Sequence, residues 1–121
     1  MNKDEIINLL EMLYEATLRK KIVWSLTSIS GRRTYKIIIN GCDILVSTDF
    51  SPLNDCQVGR IDLYNSVGNK FLAGQFYEDV DTDIYINIKA LCVTIEDQLF
   101  LITESKEKIF SGLSQLLETE D

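Results

Sequence analysis

The chain has 121 residues, of which 45% are hydrophobic and 26% are charged, and its formal net charge at pH 7 is −7. This length and apolar fraction are typical of a globular protein, so we expect a single domain over residues 1–121. The absence of histidine excludes catalytic triads, Cys–His dyads, ordinary zinc enzymes and histidine proton shuttles.

The negative charge is concentrated in the C-terminal third of the chain. Residues 1–77 carry nine basic and eight acidic side chains, whereas residues 78–121 carry three basic and eleven acidic ones. Binding to nucleic-acid phosphates needs a basic surface, so this distribution argues against a nucleic-acid partner. The acidic third is either a solvated helix face or a docking surface for a basic partner.

The lack of a recognisable targeting signal and the cysteine usage favour a cytoplasmic protein. No apolar run reaches the length of about 18 residues that a spanning helix needs, so we expect no membrane partner. Residues 2–5 (Asn-Lys-Asp-Glu) do not resemble a secretory signal. The cysteines, Cys42, Cys56 and Cys92, are an odd number without C-x-x-C spacing, which indicates structural thiols.

The first predicted element is an amphipathic helix over residues 4–19. Its apolar stripe consists of Ile6, Leu9, Leu10, Leu13, Tyr14 and Leu18. Acidic residues lie in the first turn and basic residues follow the last, as the helix dipole prefers. Such a helix needs a sheet to cover its apolar face.

Asn40-Gly41 fixes the register of the predicted sheet, because Asn-Gly is the preferred pair for a two-residue type I′ hairpin turn. The resulting inward pairs are Ile39 with Cys42, Ile37 with Ile44, and Tyr35 with Val46. A strand that begins at Ile22, followed by a turn at Ser30-Gly31, sets the same face inward from the other side.

Two further strands, near residues 58–64 and 70–76, complete a five-stranded antiparallel meander. Ile61 and Leu63 face inward on the fourth strand. The fifth strand remains open at this point, since either Phe71 with Ala73 or Leu72 with Phe76 fits the inward face.

The C-terminal third predicts helices. A helical stripe favours a helix over residues 82–103, although residues 84–88 also alternate as a strand would. Ser105 is the expected N-cap of a last helix that carries Ile109, Phe110, Leu113, Leu116 and Leu117. The predicted fold is therefore α+β: an N-terminal helix, a meander of about five strands, and a C-terminal helix or helix pair packed on one sheet face.

Two segments give the chain a resemblance to known sequences. Residues 19–24 (Arg-Lys-Lys-Ile-Val-Trp) lead into the first strand, and residues 61–70 (Ile-Asp-Leu-Tyr-Asn-Ser-Val-Gly-Asn-Lys) form the last hairpin. With the order of elements, they resemble a loose group of small uncharacterised bacterial and phage proteins that share a Tyr-Asn-Ser-x-Gly turn. The resemblance implies the same fold and a phage- or defence-associated context, and it implies no catalytic residues.

An acidic run at residues 78–83 is the most obvious candidate for a metal site. Asp79, Asp81 and Asp83 match the opening of an EF-hand loop, but Ile84 stands where glycine is needed. Ala90 occupies the position of the bidentate glutamate. We therefore expect no metal or other cofactor, and we expect the run to cap the following helix.

The uncovered sheet face is the leading candidate site. In the derived register, Ile38, Leu45, Val58 and Tyr64 point outward, with Lys36 and Arg60 among the charged residues around them. An apolar centre with a charged rim is typical of a protein interface. Arg32 and Arg33, beside Gly31, are candidate anion contacts.

The leading functional hypothesis is a non-enzymatic interaction protein that binds or inhibits a protein partner, as immunity proteins and phage anti-defence proteins do. It would use the open sheet face, the acidic helices or both, and a homodimer is a further option. One alternative is an oligomeric module that binds a small ligand or nucleotide through Arg32 and Arg33. The other is a small histidine-free hydrolase based on carboxylates.

Overall fold

The computed structural model describes residues 1–119 and contains three helices and five strands within that range. The elements are α1 (Lys3–Leu18), β1 (Ser25–Ile29), β2 (Arg32–Ile39), β3 (Cys42–Ser51), β4 (Cys56–Tyr64), β5 (Lys70–Tyr77), α2 (Thr82–Leu99) and α3 (Ile102–Glu118). The strands form one antiparallel sheet in the order β1-β2-β3-β4-β5. The predicted α+β class is confirmed.

Both N-terminal hairpins turn through two residues in the left-handed region. Asn40 and Gly41 have φ values of 49° and 80°, and Ser30 and Gly31 have values of 51° and 77°. Positive φ at both central residues is the mark of a type I′ turn, whose twist matches that of the flanking strands. The predicted pairs Ile39–Cys42, Ile37–Ile44 and Tyr35–Val46 are all present, and Ser28 pairs with Arg33 across the Ser30-Gly31 turn.

The start of the first strand was predicted three residues too early. Residues 22–24 precede β1, and the ladder with β2 ends at the pair of Ser25 with Lys36. Trp24 is nevertheless buried, and its Nε1 donates to Oγ1 of Thr17 at 2.9 Å. The indole therefore ties the incoming chain to α1 before the strand begins.

The fifth strand, whose facing was open, turns Leu72 and Phe76 toward the core. A register irregularity next to Tyr64 leaves Phe71 57% exposed. Gly74 lies between the two inward side chains, and a Cβ there would come within 2.5 Å of the Phe76 ring. A larger residue at this position would therefore displace the Phe76 ring.

Helices α1 and α2 cover the inner face of the sheet. A capping box between Asn2 and Glu5 begins α1. Six buried residues of α2 face the interior, namely Ile84, Tyr85, Ile88, Leu91, Cys92 and Ile95. Ile88 lies directly over Gly59 of β4, because a Cβ at that glycine would be 3.1 Å from the isoleucine side chain. The glycine lets α2 approach the sheet closely.

The C-terminal helices differ from the prediction in two respects. The predicted helix over 82–103 ends at Leu99, and the next begins after Leu101 rather than at Ser105. Leu101 has a φ of 50°, which reverses the helical path. Asp97 replaces the expected serine cap, since its Oδ1 accepts from the N–H and the hydroxyl of Thr103 at 2.9 and 2.6 Å.

The expectation that every helix packs on the sheet holds for α1 and α2 but not for α3. Along its 17 residues, α3 has no buried side chain. Sheet width gives the physical reason, because five strands spaced about 4.8 Å apart span only about 20 Å. Two helices at a separation of 8–10 Å already fill that width.

Candidate functional site

The outer face of the sheet is concave. One cavity of about 280 Å³ is lined both by Ile29 and Arg32, at the β1–β2 end, and by Ala73 and Gln75 of β5. These strands stand at opposite edges of the sheet, so they can line one cavity only if the sheet curls over this face. The uncovered face is thus a trough rather than a flat surface.

This curvature changes the predicted interface. Leu45 and Val58 do point outward, but they are only 8% and 0% exposed, although no helix covers them. Ile38 is 58% exposed, and Tyr64 is half-buried. Leu45 therefore belongs to the floor of the trough, Val58 is buried on the same face, and Ile38 is the most exposed of the four predicted apolar residues.

Charged side chains on the outer face are mostly paired. Arg60 Nε lies 3.1 Å from Asp49 Oδ1, with both side chains largely buried. Lys36 and Lys70 form weaker pairs, with their Nζ atoms 3.5 and 3.8 Å from Asp43 and Asp62. These contacts cross between neighbouring strands and hold the trough in shape.

Arg32 is the exception on this face. Its Nε is buried and has no hydrogen-bond partner among the residues that the structure describes. Buried donors are nearly always paired in native proteins. The unpaired guanidinium N–H of Arg32, beside a polar cavity, is therefore available to an acceptor from outside the chain.

Arg33 lies on the opposite face of the sheet from Arg32, as neighbours along a strand must. Its guanidinium stacks 4.9 Å above the centre of the Phe100 ring, next to the end of α2. The structure therefore does not bring the two predicted anion contacts together. Arg33 instead anchors the α2–α3 junction.

A hydrogen bond from Tyr35 ties β2 to α2 beneath that junction. The Tyr35 hydroxyl donates to Glu96 Oε1 at 2.6 Å. Burial, and then the neighbouring Glu96 carboxylate, raise the pKa of Tyr35 above its usual range, and Arg33 opposes this shift. The C-terminal end of α2 is thus fixed before α3 begins.

An apolar groove of about 300 Å³ lies beside the α2–α3 junction. Its apolar lining comes from Ile22, Val23, Trp24, Ile95, Leu99 and Leu101. Val23 and Leu101 are 80% and 55% exposed. Gln98 Nε2 donates to the Thr17 carbonyl at 2.7 Å, which holds α2 against α1 along the groove. Sequence reasoning missed this groove because it treated residues 22–24 as part of a strand.

Helix α3 presents a continuous apolar stripe to solvent. The exposed fractions are 37% for Ile102, 60% for Ile109, 68% for Phe110, 50% for Leu113, 71% for Leu116 and 86% for Leu117. Their spacing places them on one side of the helix. The opposite side carries Glu104 and Lys108, whose charged atoms are 2.8 Å apart. We call these six apolar residues the α3 stripe.

The acidic run does not gather into a site. Asp83 pairs with Lys3 at 2.9 Å, and this contact lowers the pKa of the carboxyl. Asp79 accepts from the Cys56 thiol at 3.6 Å. Asp81 occupies the N-cap position of α2, but its side chain makes no capping hydrogen bond. Within residues 1–119, no group of three or more acidic or cysteine side chains is arranged to hold a metal ion.

Comparisons with protein-family models, curated proteins and solved structures give no significant match to this chain. The resemblance to small bacterial and phage proteins stays a prediction. No helix in the described part of the chain is both long and apolar enough to cross a membrane.

Proposed function

We propose that this chain is a non-enzymatic interaction protein that binds another protein molecule through the α3 stripe. One observation carries the proposal: a 17-residue amphipathic helix has no buried side chain, although every other element contributes residues to the core or, in the case of β1, pairs in the sheet. An isolated helix of this length is marginal in water, and its apolar face is normally stabilised by packing. The missing packing partner is expected to come from outside the chain.

The exposed apolar area of the stripe fits an interface. With side chains of this size, six residues at 37–86% exposure present roughly 600 Å² of apolar surface. The largest apolar patch of a typical monomer is about 300–600 Å², and a standard interface buries about 800 Å² from each partner. The stripe together with the adjoining groove reaches the size needed for a stable complex.

The partner that this surface fits best is a second copy of the chain. Each molecule carries both an unpaired apolar helix and an unpaired apolar groove of about 300 Å³, next to one junction. Complementary surfaces on one chain allow two copies to bind reciprocally about a two-fold axis, each α3 lying in the groove of the other molecule. The Asp97–Thr103 cap fixes the start of α3, which lowers the entropy lost on binding.

The charge of α3 argues that the α3 stripe binds a protein rather than a lipid membrane. Outside the stripe, α3 carries Glu104, Glu107 and Glu118 against Lys106 and Lys108, and the whole chain has a net charge of −7. Helices that lie on anionic membranes are rich in lysine and arginine on their polar side. The acidic balance of α3 therefore disfavours a membrane surface and leaves a protein surface as the occupant.

The proposal is tested by the molar mass in solution, measured by light scattering during size-exclusion chromatography. We expect the mass of two chains for the wild type. Phe110→Glu, which places a charge in the stripe, should give the mass of one chain. Ser111→Glu adds the same charge on the opposite side of α3 and should remain dimeric. Val23→Glu, at the rim of the groove, should also give single chains.

Each outcome has a defined meaning. A wild type that stays monomeric at high micromolar concentration would contradict self-association and leave a different protein as the occupant of the stripe. A dimer that survives Phe110→Glu would show that α3 is not the interface. A dimer lost with Phe110→Glu but kept with Val23→Glu would indicate that α3 pairs with α3 and would contradict binding in the groove.

A further inference from the structure

The trough on the outer sheet face is a second unassigned feature, and it is independent of α3. Its cavity of about 280 Å³ is lined by residues from all five strands or their turns. Leu45 of the floor is already buried. Because no helix within residues 1–119 covers this face, the cavity opens toward solvent and is accessible to a molecule that enters from outside.

The lining of this cavity is basic although the chain is acidic. Arg32, Arg60 and Lys70 line it, and Asp62 is the one acidic side chain in the lining. Arg60 is paired with Asp49, outside the cavity lining, and Lys70 is 3.8 Å from Asp62. Arg32 forms no ion pair within residues 1–119, so it supplies the unneutralised positive charge of the cavity.

Arg32 also has an unused hydrogen-bond donor, since its buried Nε–H meets no acceptor within the described chain. Leaving such a donor unpaired costs free energy, which a bound acceptor recovers when the Arg32 side chain turns its Nε–H toward the cavity. A guanidinium offers its N–H groups in a planar fork that matches the two oxygens of a carboxylate or a phosphate. Charge and donor geometry at Arg32 thus favour the same kind of ligand.

We propose that the trough binds a small organic molecule through its carboxylate or phosphate group, with Arg32 as the principal contact. The volume of about 280 Å³ lies just below the range of about 300–1,000 Å³ for small-molecule sites, which favours a ligand smaller than a nucleotide. Tyr64 and Ile29 line the same cavity and provide the surface for an apolar or aromatic part of the ligand.

The experiment titrates the protein with phenyl phosphate, benzoate and inorganic phosphate, and follows the Arg Nε–H signals by NMR. We expect the Arg32 Nε–H signal to shift on binding of phenyl phosphate or benzoate, and the tighter of the two identifies the anionic group. Arg32→Gln should weaken that binding by about tenfold or more, because it removes both the charge and the fork. Inorganic phosphate should bind more weakly than phenyl phosphate.

Arg33→Gln is the matched control, because it removes the same charge one residue away on the opposite sheet face. It should leave the affinity unchanged within about twofold. Arg32→Lys keeps the charge without the fork, should also weaken binding, and provides a second variant if Arg32→Gln does not fold by near-UV circular dichroism.

Three results would overturn the proposal. The first is no shift of the Arg32 signal with any probe at millimolar concentration. The second is equal weakening by the Arg32 and Arg33 variants, which would indicate non-specific attraction. The third is equal affinity for inorganic phosphate and phenyl phosphate, which would show that no organic part is recognised.

Discussion

Helices α2 and α3 follow one another in the chain, have 18 and 17 residues, and are both amphipathic, yet they differ in burial. Six residues of α2 are buried, and none of α3 is. The difference does not come from the pattern within each helix, since both have apolar stripes. It comes from the sheet, whose inner face has room for α1 and α2 only. An amphipathic pattern thus shows that a helix needs a partner without showing where the partner is.

The largest expected effect on the free energy of unfolding comes from removing a side chain that packs beneath α2. Ile88 is fully buried, so Ile88→Ala should lower the free energy of unfolding by about 2–5 kcal/mol, measured by urea denaturation. The control is Ile86→Ala on the same helix, where the side chain is 56% exposed. It should change stability by less than about 0.5 kcal/mol. Equal effects of the two variants would contradict the packing described for α2.

The close contact of α2 with β4 gives the next prediction. Gly59→Ala should cost about 1–3 kcal/mol, because its Cβ would lie 3.1 Å from three atoms of Ile88 and would displace the helix. In the Ile88→Ala background the same substitution should cost much less, since the opposing side chain is gone. Denaturation of the four proteins in this double-mutant cycle measures the coupling. Additive costs would show that the glycine is not needed for the approach of α2.

These two contacts also show how much of the fold was predictable from sequence. Turn chemistry at Asn40-Gly41 and at Ser30-Gly31 fixed the register and facing of three strands, because a one-residue slip would turn every side chain over. The contact of Gly59 with Ile88 joins residues far apart in the chain, and no local pattern indicates it. No local pattern indicates the trough either. The curl of the sheet brings the edge strands β1 and β5 toward one another without changing the pairing of any strand.

The candidate site was less predictable than the fold. Alternation correctly assigned Leu45 and Val58 to the outer face, but curvature decides their exposure, and the sequence pattern does not encode curvature directly. Adjacency in the sequence predicts Arg32 and Arg33 as one anion site. Their strand conformation separates them, and the strict alternation of β-strands could have shown this once β2 was extended to include them.

A smaller effect is expected from Tyr35, which links the sheet to the end of α2. Tyr35→Phe should cost about 1 kcal/mol at neutral pH, because Glu96 loses its hydrogen-bond donor. Since the folded state raises the pKa of Tyr35, the unfolded chain releases this proton first. The stabilisation from the raised pKa is complete below about pH 10, the ordinary value for tyrosine, and decreases as the pH rises above it.

Thermal midpoints of the wild type and of Tyr35→Phe between neutral and alkaline pH measure this effect. The gap between them should narrow above about pH 10. Burial also raises the pKa values of Tyr85 and Cys92, so the variant should still lose some stability at high pH. A constant gap over the whole range would show that the Tyr35 proton is not linked to folding.

The smallest expected effect on the folded monomer lies in α3 and completes the contrast with α2. Leu113→Ala should change the free energy of unfolding by less than about 0.5 kcal/mol at low micromolar concentration, because the side chain is half-exposed and α3 has no buried residue. Leu91→Ala in α2, where the leucine is fully buried, should cost about 2–5 kcal/mol under the same conditions.

The dependence of the thermal midpoint on protein concentration then shows whether α3 forms an interface with a second copy. If α3 binds a second copy, the thermal midpoint of the wild type should rise with concentration, since association stabilises the folded state by mass action. Leu113→Ala should remove most of that rise while leaving the midpoint at high dilution unchanged. Leu91→Ala should lower the midpoint at every concentration and keep the rise. A wild-type midpoint that does not depend on concentration would mean that α3 has no partner among its own copies.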